Sequence, residues 1–277
     1  MDKSSKQYLD YVESYGYVLA QLYQSYVKWV EKNRHHEAKV SMRSGYPIMH
    51  AAQWLGEHGL VKCDEWDEIW LNRRIMTLMS LGKVYKGYDE ILEYIKQQGF
   101  DKPFTFVDNG YDGSITQSFE GCNINKEIQT LLMLGSDAFQ QSAKKRAFIG
   151  HMKAVKTFGD KGFGPIVQLQ DIIENMPQEY EEYIHTDFTS ENNRINIEPR
   201  KKTGFELNAF AKFKDGMTTG FKDCFEAVKS DDRTQLTKYT NILVNKTPRL
   251  LLDAATEKEC EHFDKIKEMV QEVYKNG

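Results

Sequence analysis

A chain of 277 residues suits one large domain or two smaller ones. Hydrophobic residues make up 40% and charged residues 28%, so the chain can bury a core and is not disordered by composition. The net charge of −4 argues against a dedicated nucleic-acid binder, which carries a basic excess or stripe. The short runs Lys144-Lys145-Arg146 and Arg200-Lys201-Lys202 read as solvated faces.

The first expected element is a long helix. Tyr8, Tyr11, Val12, Tyr15, Leu19, Leu22, Tyr26, Trp29 and Val30 recur at three- and four-residue steps, giving one strongly aromatic face. Further helices are expected over Pro47–Leu60, Asp64–Leu81 and Tyr88–Gln98, the last stopped by Gly99. The period then shortens. Phe104–Val107 and Ser114–Phe119 alternate like strands around the turn-rich Asp108–Gly113, which predicts a β-hairpin. A long helix is expected from Asn125 towards His151, and another after Pro165. Residues 185–204 are polar and read as an exposed linker or loop. Phe205, Leu207, Ala209, Ala211 and Phe213 alternate as in a strand. Thr256 and Glu259 make a capping box for a C-terminal helix.

The expected fold class is therefore α+β and mainly α-helical, with two short antiparallel β regions near 104–119 and 194–213. The chain divides into a helical region 1–100, a hairpin with long helices over 101–184, the loop 185–204, and a strand with helices over 205–277.

Recognisable chemical motifs fail at nameable positions. Counted as a calcium loop from Asp108, the turn places Asp112, Gly113 and Ile115 correctly. It has Gly110 where an oxygen ligand belongs and Phe119 where the bidentate Glu belongs. The pairs Glu182/His185 and Glu259/His262 have the i, i+3 spacing of a di-iron bundle, but nothing selects the further glutamates that such a site needs. His35, His36, His50 and His58 match no closed zinc pattern. Ser142-Ala143-Lys144-Lys145, Ser190-Glu191-Asn192 and Lys202-Thr203-Gly204 follow the order used by penicillin-recognising serine enzymes. The last two lie too close together for that fold. No catalytic residue, metal or cofactor is assigned.

One loop retains a ligand reading. Gly159–Gly164 precedes an expected helix, and Lys153, Lys156, Lys161, Gly162 and Gly164 are the residues that would hold an anion there. Cys63, Cys122, Cys224 and Cys260 form no closely spaced pair, and the polar start lacks a leader. These features lead us to expect free thiols and a cytoplasmic setting. No apolar run approaches the ~20 residues of a membrane span.

The first functional expectation is a non-catalytic interaction protein that self-associates as a homo-oligomer and binds another protein. Its surface would be Tyr8, Tyr11, Tyr15, Tyr26 and Trp29. A phage or mobile-element inhibitor of a host defence complex fits such a chain. The alternative is an enzyme or binder of a small phosphate-bearing ligand. Single-stranded nucleic-acid binding through tyrosines and scattered lysines ranks third, and a membrane partner is not expected.

Overall fold

The computed structural model describes residues 3–42, 44–71, 88–110, 113–121, 127–136, 139, 142–150, 173, 176–180, 189–191, 194–196 and 200–232. Helix α1 spans Lys3–Asn33, and a polar turn leads into strand β1, Ala38–Ser41. Helix α2, Tyr46–Glu57, starts with Pro47 in its first turn, where a missing amide proton costs nothing. After a short 3-10 turn, Cys63–Glu65, comes strand β2, Trp66–Ile69. Helix α3 is Tyr88–Gln97 and strand β3 is Phe104–Asp108. Helix α4 is Ser114–Gly121, followed by β4, Ile128–Gly135, and β5, Lys145–Gly150. A small ribbon, β6 (Thr189–Glu191) with β7 (Arg194–Asn196), precedes helix α5, Gly204–Lys229.

The five strands β1 to β5 form one parallel sheet in the order β2-β1-β3-β4-β5. This parallel sheet overturns the expected α+β class with its antiparallel regions near 104–119 and 194–213; among the described strands, β6 and β7 are the pair that runs antiparallel. Residues 104–119 are a strand followed by a helix, not a hairpin. Residues 205–213 lie in α5, and their alternation gives way to burial at Ala209, Phe210, Phe213 and Met217. The expected helix from Asn125 is largely replaced by β4, whose residues are buried throughout. A parallel strand covered on both faces carries a continuous apolar run, which periodicity does not separate from a buried helix. Within 64–81, Trp66–Ile69 is likewise a strand. Of the helix expected after Pro165, Ile173 is described as helical, and Ile173 and Met176 are buried as expected; the helix expected after Thr256 lies outside the described residues.

The strand order explains the layers. The chain passes from β1 to β2 in one direction and from β2 past β1 to β3 in the other. Right-handed crossovers therefore place α2 on one face and α3 and α4 on the opposite face. The cores agree. Phe104, Phe106 and Ile128 pack with Ile91, Tyr94, Phe100 and Phe119 of the α3/α4 side. Val40, Val107, Leu131 and Phe148 pack with α1, α2 and α5.

The α1/α5 contact is built backbone to backbone. A Cβ on Gly216 would lie 1.9 Å from Glu13 O, and one on Gly16 would lie 2.1 Å from Phe213 O. A Cβ on Gly220 would meet Tyr17 O at 2.5 Å and Ala20 Cβ at 2.6 Å. Lys28 Nζ then donates to the last carbonyls of α5, Val228 O and Lys229 O, each at 2.7 Å. Among the described residues, no helix is long and apolar enough to cross a membrane.

Gly216→Ala must force the two helices apart, so it is expected to lower stability by about 3 kcal/mol. Gly59→Ala meets nothing within 4 Å and bears only its left-handed φ of +72°, a penalty of about 1 kcal/mol. Urea unfolding of the two variants checks this difference.

Candidate functional site

In an open parallel sheet the strand order reverses at one place, and the loops there diverge to opposite faces and leave a crevice at the carboxyl ends of the strands. Here the reversal lies between β1 and β3. The loop after β1 contains Met42, Ser44 and Gly45, and the loop after β3 contains Asn109, Gly110 and Gly113.

The two loops are tied together. Asn109 Nδ2 donates to Ser44 O at 2.6 Å, and Asn109 O accepts from Leu134 N at 2.9 Å. The backbone amide of Asn109 donates to Asp108 Oδ1 at 2.8 Å, which orients the carboxylate that ends β3. Asn109 is 1% exposed, yet its Oδ1 has no hydrogen-bond donor among the described residues. A buried acceptor without a donor costs about 1–3 kcal/mol, which makes it a notable feature of this crevice.

The backbone around Asn109 requires glycine. Gly110 has φ +130°, and a Cβ there would lie 2.2 Å from Leu134 O. Gly113 has φ +72° and packs under Phe139. Helix α4 starts immediately afterwards. The carbonyl of Gly113 accepts from Gln117 N at 3.1 Å and from the buried Thr116 hydroxyl at 2.9 Å. The first-turn amides of α4 have no acceptor inside the helix, so they carry its positive end at the mouth of the loop.

Helix α1 closes the crevice from behind. The Tyr26 hydroxyl is shared between Leu131 O at 2.6 Å and Asp108 O at 3.1 Å. Tyr23 is fully buried nearby, and its hydroxyl has no partner among the described residues. Burial, and then the negative charge of Asp108, hold the Tyr23 phenol far above its ordinary range, so it stays protonated.

Towards β2 the rim is aromatic and acidic. The Trp70 and Tyr180 rings meet edge to face at 5.3 Å, and Glu179 pairs with Lys201 at 2.7 Å. Burial, then Glu179 and Glu68, raise the Tyr46 phenol. Burial, then Asp67 and Glu179, raise the Glu68 carboxyl. One turn along α2, His50 stacks on Tyr46 at 5.8 Å and packs against Phe221 at 5.2 Å. The Thr218 hydroxyl gives its proton to Lys214 O, so His50 Nε2 must donate to Thr218 Oγ1, at 3.0 Å. Burial, then Lys214, lower the His50 pKa to about 4.

The residues singled out in the sequence fall elsewhere. Tyr15 and Tyr26 are buried in the main core. Tyr8 is partly buried against Phe205 at 5.7 Å, and Trp29 lies between Phe148 and the Arg146 guanidinium. The Tyr11 side chain lies outside the description, as do Lys153, Lys156, Lys161, Gly162 and Gly164. Of the whole set, Tyr26 alone is seen to reach the crevice. Among the described residues, no group of three or more His, Cys, Asp or Glu side chains converges as a metal site would require. Cys63 and Cys224 are free thiols, and burial pushes the Cys224 thiol up to about 12.

What the sequence reading missed is that the segment after β3 leads into a helix and not into a returning strand. The signal was there in two glycines ahead of Ser114 and Thr116. The alternation of Ile115 and Phe119 with polar neighbours made the following helix look like a returning strand. Comparisons with family models, with curated proteins and with solved structures find no match to this chain.

Two outcomes follow. Asn109→Ala removes the tie to Ser44 O and is expected to cost about 1–3 kcal/mol, with faster hydrogen exchange at Leu134 and in the first turn of α2. Second, His50 is neutral in the folded chain down to pH about 4, whereas unfolded imidazole takes up a proton below about pH 6.5. Its contribution is therefore complete above pH 6.5 and lost as pH falls towards 4, by up to about 3 kcal/mol. His50→Gln should flatten the dependence of unfolding free energy on pH within that window.

Proposed function

We propose that this chain binds a phosphorylated pentose, as a nucleotide or another phosphoribosyl compound, in the crevice between β1 and β3, and acts on it as an enzyme. The observation that carries this reading is the meeting of the β1 and β3 loops where the strand order reverses. There Asn109 is bonded to Ser44, five residues before the first residue of α4. A phosphate fits that helix end, because unspent amides and the helix dipole both favour a dianion. The glycines at 110 and 113 let an anion approach the backbone closely. Asp108 and the unsatisfied Oδ1 of Asn109 are acceptors for sugar hydroxyls, as an acidic residue is for ribose in dinucleotide folds.

This reading takes up the phosphate-ligand alternative and moves it from the 159–164 loop to the 108–116 loop. The aromatic face of α1 that supported self-association has an intramolecular use: its buried members pack against the sheet and α5. The reduced interior of a cell suits the free thiols of Cys63 and Cys224.

Isothermal titration tests the proposal with ribose 5-phosphate, a nucleoside monophosphate, and the same nucleoside without phosphate. The phosphorylated compounds are expected to bind at least about tenfold more tightly than the nucleoside. Asp108→Asn should weaken them by about as much while leaving the thermal midpoint in place. A chain that binds none of the three, or binds the nucleoside as well as the nucleotide, has some other function.

A further inference from the structure

At the opposite end of the sheet, where β1, β2 and β3 begin, lies a polar groove of about 610 Å³. That volume is in the range of small-ligand sites. Its walls include His36 and Glu37 ahead of β1, Asp67 on β2, Gln98 at the end of α3 and Lys102 ahead of β3. Its floor is Lys39.

Lys39 is an unusual residue for the interior of a parallel strand. It is 6% exposed, and its ammonium bonds to Asp67 at 3.1 Å across the β1/β2 register. Asp67 is itself 65% exposed, so this acceptor faces water. On the other side Lys39 Nζ lies 5.9 Å from the centre of the Phe100 ring. Gly99 ends α3 with φ +74°, and a Cβ there would sit 3.5 Å from that ammonium. The chain thus leaves a side chain out where it would press on the cation. An ammonium has three donors, and among the described residues Asp67 is the one hydrogen-bond acceptor that Lys39 meets. A desolvated cation with donors left over is a strong point for an oxyanion to bind.

We infer that this groove is a second ligand site, taking a small metabolite that carries a carboxylate or a phosphate. The oxyanion sits on Lys39, with Lys102 at the rim. The Gln98 amide and the Glu37 carboxylate contact the polar remainder, which must therefore bring hydrogen-bond donors of its own. The groove shares β1 with the crevice, since Lys39 is two residues from Ser41, the last residue of that strand.

The test is a titration of the full chain followed by backbone amide NMR, with citrate as the carboxylate probe and inorganic phosphate as the phosphate probe. At least one probe should shift the Gln98 and Gly99 signals saturably. Saturation by citrate alone identifies a carboxylate ligand, and by phosphate alone a phosphate ligand. Lys39→Met keeps the apolar stem and should weaken binding by at least about tenfold. Asp67→Asn, at an exposed position, frees the ammonium and should tighten it, which gives a result even if Lys39→Met does not fold. No saturable shift at Gly99 with either probe overturns the inference. So does an unchanged affinity in Lys39→Met, or unchanged or weaker binding in Asp67→Asn. Phosphate held at the α4 N-terminus would shift Ser114–Thr116 instead, so the two sites succeed or fail separately.

Discussion

The contact on which the rest depends is the close approach of α1 and α5. Side chains normally hold helix axes 8–10 Å apart. Here Gly16, Gly216 and Gly220 remove them at the crossing, and backbone meets backbone. Dispersion rises with the number of close atom pairs, so a long glycine-lined contact between two helices is a large and shape-specific source of cohesion. Its geometry also propagates. With α5 set against α1, the opposite side of α1 is presented to the sheet, and Tyr26 is carried to the end of β3 and the middle of β4. There its one hydroxyl joins Asp108 O and Leu131 O. The same pair of helices holds α2 from outside through Phe210 on Tyr46 and Phe221 on Trp54. The N-terminus of α2 is thus fixed by packing that originates two helices away from the crevice.

The sheet converts that rigidity into a site. A parallel strand order that reverses once opens a gap between adjacent loops, and everything at its mouth is there for topological reasons. The carboxyl ends of the strands face the gap, the following helices present their amino ends to it, and both bias it towards anions. What the particular residues add is fixation. Asn109 links the loops, Gly110 lets β3's loop lie against β4, and Thr116 ties the α4 turn to Gly113. On the far rim, carboxylates and a phenol crowd together at Glu68, Glu179 and Tyr46, where burial and mutual charge hold Glu68 and Tyr46 towards their neutral forms.

How much of this was legible in the sequence depends on which periodicity each element displays. Helix α1 was legible because its aromatic and aliphatic positions repeat at helical spacing, even though residues 18–27 are buried all round, between the sheet and α5. The end of α3 was legible because Gly99 adopts the left-handed conformation that closes such a helix, with Phe100 N bonded back to Ile95 O at 3.1 Å. The central strands were not, since burial on both faces erases alternation: Ile128–Gly135 shows no exposed residue at all. Helices α4 and α5 misled for the opposite reason. In α5, Phe205 remains 44% exposed at the helix start, so the apparent alternation counted an apolar residue that the fold leaves outside. In α4 only eight residues are helical, too few for a 3.6-residue period to separate itself from a period of two. The site followed the fold. Asp108–Gly113 could be read as a turn from composition, but whether a hairpin or a crossover follows depends on contacts between residues far apart in the chain.

Two buried polar atoms near Asp108 lack hydrogen-bond partners among the described residues. Folding leaves few buried polar groups without partners, because each one lowers stability by an amount comparable to a sizeable share of the net folding free energy. Tyr23 Oη and Asn109 Oδ1 are two such atoms near Asp108, and Gln21 Oε1, whose amide nitrogen bonds Asp232 O, is another away from it. A buried acceptor without a donor is hydrogen-bonding capacity that a group outside the chain can use. Asn109 makes the case most directly. Its amide nitrogen is committed to joining the two loops, which fixes where its buried, unpaired oxygen sits.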